Sequence, residues 1–107
     1  MKELLTHNPQ LKELILNHIG MSQQGAVFLS QFLLNSECRT SIETFEATKN
    51  RIETKIQNLA EAFANMPNLR RLNLMQNNIR DHGMKQLLVS LQKCHKLEYL
   101  DLTDNLI

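Results

Sequence analysis

Tryptophan is absent from this chain, tyrosine occurs once, and glycine, proline and cysteine number only three, two and two among 107 residues. So little glycine and proline excludes collagen-like and low-complexity classes. A content of 42% hydrophobic and 21% charged residues indicates one globular domain. Cys38 and Cys94 lie far apart with no CxxC or histidine-spaced partner. They read as small buried hydrophobes in a reducing compartment. An excess of either charge is also missing: 12 basic against 11 acidic side chains leave a net +1. No global field therefore draws in nucleic acid or anionic lipid, and charge recognition has to be local. No apolar run approaches the roughly 18 residues of a membrane span, and the N-terminus lacks the basic-then-apolar pattern of a signal peptide. The expected location is cytosol or nucleus, without membrane or nucleic-acid partners.

Motifs for chemistry are missing as well. There is no GxSxG, Walker or dinucleotide glycine pattern, and no two of His7, His18, His82 and His95 stand at a metal-ligand spacing on one helix. No catalytic centre, metal or cofactor is expected.

What is present is a repeat. Residues 69–79 read Leu69-x-x-Leu72-x-Leu74-x-x-Asn77-x-Ile79, and residues 97–107 read Leu97-x-x-Leu100-x-Leu102-x-x-Asn105-x-Ile107. Looser copies run from Leu11 through Leu14 and Leu16 to Met21, and from Ile42 through Phe45, Ala47 and Asn50 to Ile52. The starts at 11, 42, 69 and 97 are 31, 27 and 28 residues apart. Each block opens with apolar-polar alternation, which suits a short strand. Helical spacing follows, as in Leu59 and Phe63, Leu87, Leu88 and Leu91, or Phe28, Leu29, Phe32 and Leu33.

The pattern predicts an α/β leucine-rich-repeat solenoid, a horseshoe segment with short parallel strands on the concave face and helices on the convex face. It forms one domain over 1–107 with about three and a half repeats. Gly25 and Gly83 each follow a block's last apolar residue by four positions and are expected in a turn that needs glycine's conformational freedom. Copy two is one residue shorter and has Lys55 there. Pro9 and Pro67 are expected to stop helices. Residues 1–10 look like the end of a preceding repeat's helix, and the chain stops directly after a strand block, so a piece of a longer solenoid is expected. The polar stretch from Asn35 to Ser41 is expected to be a mobile surface loop.

Asn50, Asn77 and Asn105 recur at one repeat position, where an amide offers donors and an acceptor to a turning backbone. They are expected to form an inward hydrogen-bonded ladder that starts at copy two, since copy one has Ile19 there. Between strand and helix, the outward polar residues are Asn17 and His18, Lys49 and Arg51, Gln76, Asn78 and Arg80, and Thr103 and Asp104. Stacking puts these recognition candidates in a row along the rim.

Four stretches carry a more specific resemblance. Phe45-Glu-Ala-Thr-Lys-Asn-Arg-Ile-Glu53 is similar to the Arg-Asn-Arg-Leu-Glu stretch of GTPase-activating proteins for the nuclear-transport GTPase Ran, which have ribonuclease-inhibitor-type leucine-rich repeats. Met75-Gln-Asn-Asn-Ile-Arg-Asp-His-Gly83 resembles their Gln-Asn-Gly-Ile-Arg-x-x-Gly, and Leu102-Thr-Asp-Asn105 their Leu-x-Asp-Asn. Leu14-Ile-Leu-Asn-His-Ile-Gly-Met21 resembles Leu-x-Leu-Asn-Asn-x-Gly-Met/Leu. The resemblance implies a Ran-binding fragment that stimulates GTP hydrolysis by positioning the GTPase's own glutamine, without an arginine finger. The resemblance also implies a regulator rather than an enzyme, placed in the cytoplasm or at the nuclear envelope.

The family asparagine implicated in touching that glutamine falls on His18. Arg80 matches a family arginine, and Asn50, Gln76 and Asp104 match family polar positions. The partner contacts implied are therefore Asn17, His18, Lys49, Asn50, Arg51, Gln76, Arg80 and Asp104. A general leucine-rich scaffold without effect on any nucleotide has the same repeat features and is the alternative.

Overall fold

The computed structural model of the protein describes residues 10–106; the helix end expected before Gln10 lies outside the described residues. Four short strands, β1 (Glu13–Ile15), β2 (Thr44–Glu46), β3 (Arg71–Asn73) and β4 (Tyr99–Asp101), alternate with helices α1 (Ser22–Leu34), α2 (Ile56–Ala64) and α3 (Asp81–Leu91). The strands form one parallel sheet in chain order, and their register aligns Leu14, Phe45, Leu72 and Leu100 in a single row. Strands stack about 4.8 Å apart and helices about 10 Å apart, so one layer of each bends into an arc with the sheet inside. The architecture is the α/β leucine-rich-repeat fold that the spacing predicts.

The repeat's apolar positions build the core. Leu14, Phe45 and Leu72 are buried from the strands, with Met21, Ile52 and Ile79 at the block ends and Leu29, Leu33, Leu59, Phe63, Leu87 and Leu91 from the helices. Phe45 meets Phe63 edge to face at 5.1 Å near the centre, a geometry the ring quadrupoles favour. Two residues of the expected helical stripe, Phe28 and Leu88, are exposed instead. Phe28 stacks on Phe32 at 6.1 Å.

Asparagine also closes the first two helices. Asn35 Nδ2 donates to the Gln31 carbonyl at 2.8 Å and Asn65 Nδ2 to that of Glu61 at 2.9 Å, satisfying acceptors the helix ends leave open. The segment from Asn35 to Ser41, expected to be a bare loop, is a folded connector. It holds a 3₁₀ turn over Glu37–Thr40, a Ser36 hydroxyl accepting from the Cys38 N–H at 3.2 Å, and a fully buried Cys38. A thiol that packs into the core gives this polar stretch an anchor that composition does not reveal.

Gly25 and Gly83 also depart from expectation, since both lie in the first turn of a helix rather than in a positive-φ turn. Their reason is space: a Cβ on Gly83 would sit 2.7 Å from Ile56 Cγ2, and one on Gly25 2.7 Å from Met21 Cγ. In copy two the missing residue is taken up by a tight 3₁₀ turn over Glu53–Lys55, after which Ile56 enters the core and presses on Gly83. Gly83→Ala is expected to lower stability by about 1 to 3 kcal/mol through overpacking. Urea denaturation measures it, and a loss no larger than for Gln86→Ala on the same helix would show that Ile56 yields freely.

Candidate functional site

The loops that leave the carboxyl ends of the strands are built around the three asparagines. Asn77 is fully buried, and its Nδ2 donates to the carbonyls of Ala47 at 2.8 Å and Leu74 at 2.9 Å. Its Oδ1 accepts the Asn50 N–H at 2.9 Å. Asn50 repeats the scheme one turn earlier, with Nδ2 donating to Leu16 and Thr48 carbonyls and Oδ1 accepting from the N–H groups of Ile19 and Met21. Asn105 accepts from Asn77 and Ile79 and donates to Leu74 and Leu102. Each amide therefore ties its own turn to the preceding repeat, which is the ladder expected from the sequence.

The ladder determines what faces outward. Left-handed backbone lies on both sides of Asn50, at Lys49 (φ 57°) and Arg51 (54°), and of Asn77, at Gln76 (58°) and Asn78 (58°). It recurs at Asp104 (58°) before Asn105 and at His18 (50°) before Ile19, whose N–H the Asn50 amide binds. Side-chain-bearing residues resist this region, so the hydrogen bonds of the intervening amide have to hold it. The backbone stitches the row together as well. The N–H groups of His18, Lys49 and Gln76 donate to the carbonyls of Thr48, Met75 and Thr103 at 2.8, 3.0 and 3.1 Å.

His18, Lys49, Gln76 and Asp104 thus stand side by side and exposed at one repeat position, with Arg51 and Asn78 exposed two residues further on. Asn50 does not join them. It is 1% exposed with its amide engaged in the ladder, so as a direct contact it is corrected to a residue that shapes the turn. Asn17 is exposed, yet its amide clips two strands together, donating to Glu46 Oε1 at 3.0 Å and accepting the Thr48 N–H at 2.8 Å.

Two hollows open along this rim. One of about 290 Å³ gathers His18, Gly20, Ser22, Lys49 and Arg51 over Asn50. A larger one of about 570 Å³ brings Asn78 and Arg80 together with Glu53, Gln57, His82 and Gln86. Arg80 stands at the N-terminal boundary of α3 in extended backbone, and its guanidinium has no ion pair or hydrogen bond among the described residues.

The sheet's open face adds residues that the loop-centred reading missed. Arg71 lies 4.3 Å over the Tyr99 ring, the two being direct cross-strand partners, and Ile15 is 52% exposed. Strand alternation was the available signal, since all three occupy outward positions. Asp101, on the same face, accepts from the Thr103 N–H at 3.0 Å and hydroxyl at 2.8 Å. These bonds hold its carboxyl below the usual carboxylate range. Their contribution is present at neutral pH and is lost as the pH falls through that lowered value.

Among the described residues no three His, Cys, Asp or Glu side chains gather as metal ligands, and no helix is long and apolar enough to cross a membrane. Both thiols are free and buried. Cys94 Sγ donates to the Phe63 carbonyl at 3.2 Å, and burial pushes its thiol upward. The fold therefore holds a proton there that the unfolded chain releases above the ordinary thiol value, so stability falls as the pH rises past it. Both cysteines are expected to resist Ellman's reagent in native buffer and to react fully in denaturant. Rapid native reaction of Cys94 would contradict its burial.

The comparisons with known proteins agree with this geometry. A family model described as Leucine Rich repeat matches residues 65–88 and 93–107. The chain is 28% identical over 93 residues to RAN GTPase-activating protein 2 of Arabidopsis thaliana, covering 85% of this chain and 17% of that protein. A solved structure from Caenorhabditis elegans, the tropomodulin C-terminal domain, superposes with a TM-score of 0.79 at 22% identity, covering 97% of this chain and 65% of that one. The chain therefore spans only a sixth of the curated relative's length and about two thirds of the solved one's. The fold is that of a leucine-rich-repeat chain, and the resemblance that its motifs carry is to the Ran GTPase-activating proteins.

Proposed function

We propose that this chain binds the small GTPase Ran through the loop row at the carboxyl ends of its strands and stimulates GTP hydrolysis by positioning. The observation that carries the proposal is the exposed row His18, Lys49, Gln76 and Asp104, flanked by Arg51 and by Arg80, whose side chain has no partner among the described residues, in a chain similar to a Ran GTPase-activating protein. In this proposal the row fixes the orientation of the GTPase, whose own glutamine then aligns the attacking water. Alignment of this kind accelerates phosphoryl transfer without a group inserted into the nucleotide site. The chain acts in the cytoplasm as a regulator of nucleocytoplasmic transport.

The direct test is GTP hydrolysis by Ran with and without the chain. No stimulation there would defeat the proposal. His18 favours the second reading, a scaffold that binds without activating, because an imidazole lacks the amide's paired donor and acceptor at the position where the resemblance has asparagine. His18→Asn is expected to raise stimulated hydrolysis at least tenfold over the parent. An unchanged rate would show that the position does not contact the GTPase's glutamine.

A further inference from the structure

Two cations beside the strands sit in ion pairs. Lys12 pairs with Glu43 at 3.3 Å and Arg70 with Glu98 at 2.7 Å. The hollow over Asn50 is different. Its lining residues are His18, Gly20, Ser22, Lys49, Asn50 and Arg51, with no carboxylate among them. Neither Lys49 nor Arg51 has a side-chain partner among the described residues. The acid of the same loop, Glu53, accepts from Gln23 Nε2 at 3.4 Å and lines the neighbouring hollow instead.

Two like charges are thus held in one concavity on a chain with a net charge of only +1. Lys49 and Arg51 stand two residues apart with left-handed backbone, on either side of the buried Asn50 whose amide bonds immobilise the turn. Little backbone freedom is left to lose when a ligand arrives, which is the advantage of preorganisation. Gly20 supplies the space. Its φ is 69°, and nothing lies within 4 Å of where a Cβ would project.

We propose that this hollow is a carboxylate seat, which takes an aspartate or glutamate side chain presented by the protein docked on the loop row. It deepens the partner-binding proposal, on which it rests for what delivers the carboxylate. The guanidinium of Arg51 offers a planar fork that matches two carboxylate oxygens. Lys49 adds a point charge from the flank, the Ser22 hydroxyl a further donor, and Gly20 leaves room for the incoming group above the backbone.

The test uses the isotopically labelled chain alone, titrated by NMR with acetate and with a blocked Glu-Asp dipeptide, against sodium chloride at matched ionic strength. Saturable shifts are expected at the amides of Gly20, Ser22, Lys49, Asn50 and Arg51. The double substitution Lys49→Ala with Arg51→Ala is expected to raise the dissociation constant at least tenfold. Gly20→Asn, which tolerates left-handed backbone while filling the space, is expected to abolish the shifts with the spectrum otherwise native. Shifts that chloride reproduces, or that survive the double substitution, overturn the seat. Saturation by inorganic phosphate without a response to either carboxylate overturns it too. No GTPase is in the sample, so failure of Ran to bind would leave a positive result standing, and a negative one would not touch the Ran proposal.

Discussion

Asn77→Ala is expected to cost about 4 kcal/mol of folding stability, the combined penalty of leaving several buried polar groups without partners. The truncation strips hydrogen bonds from the carbonyls of Ala47 and Leu74 and from the Asn50 N–H, all within two adjoining turns. Asn77 is 0% exposed, so water cannot take the amide's place without opening the loop. Against a total of roughly 5 to 15 kcal/mol for a domain, such a loss leaves a largely unfolded population at moderate temperature. Asn77→Asp tests the assignment more finely. It retains the acceptor for Asn50 but removes both Nδ2 donors and places a carboxylate against two carbonyls. Urea denaturation followed by circular dichroism gives both values. A loss under about 1 kcal/mol for Asn77→Ala would mean that the turns hold themselves without the ladder.

Arg80→Glu is expected to weaken Ran binding by about ten- to a hundredfold, the range a charged anchor at the centre of an interface commonly shows. Arg80 is exposed, borders the larger rim hollow, and has no partner within the described residues. Its substitution therefore removes nothing that the fold uses, and the thermal midpoint is expected to stay within about 2 °C of the parent. Calorimetric titration with Ran loaded with a non-hydrolysable nucleotide measures the affinity, and a scan of the free chain checks the fold. Unchanged affinity would remove Arg80 from the contact surface. A large fall in the midpoint would show that it is structural.

The two substitutions probe different layers of one loop. Asn77 holds the turn from within, and Arg80 reaches outward from the end of the same segment. The left-handed conformations at Lys49, Arg51, Gln76 and Asn78 belong to both layers. Backbone that side chains resist costs of order 1 kcal/mol per residue, and the amide bonds of the ladder offset it. A defect in the ladder is therefore expected to blunt recognition by letting the row relax, even where the contact residues are intact.

The sequence by itself determined the period, the strand-then-helix order, the apolar positions that became the core, and the three ladder asparagines. All of these follow from one-dimensional spacing, because every repeat must bury the same positions against its neighbours. Tertiary structure decided what spacing does not encode. Asn50 read as an outward contact as well as a ladder member, and only the stacking of copy one on copy two shows its amide enclosed. Gly83 read as a turn glycine, and only the approach of Ile56 from the preceding repeat shows that the missing Cβ is the point. The polar connector from Asn35 to Ser41 gained its anchor when Cys38 entered the core. The two rim hollows and the Arg71–Tyr99 pair come from side chains of different repeats brought together by the stacking of those repeats. Burial and charge pairing depend on those cross-repeat neighbours, so a residue's own repeat identifies its position but not what it touches.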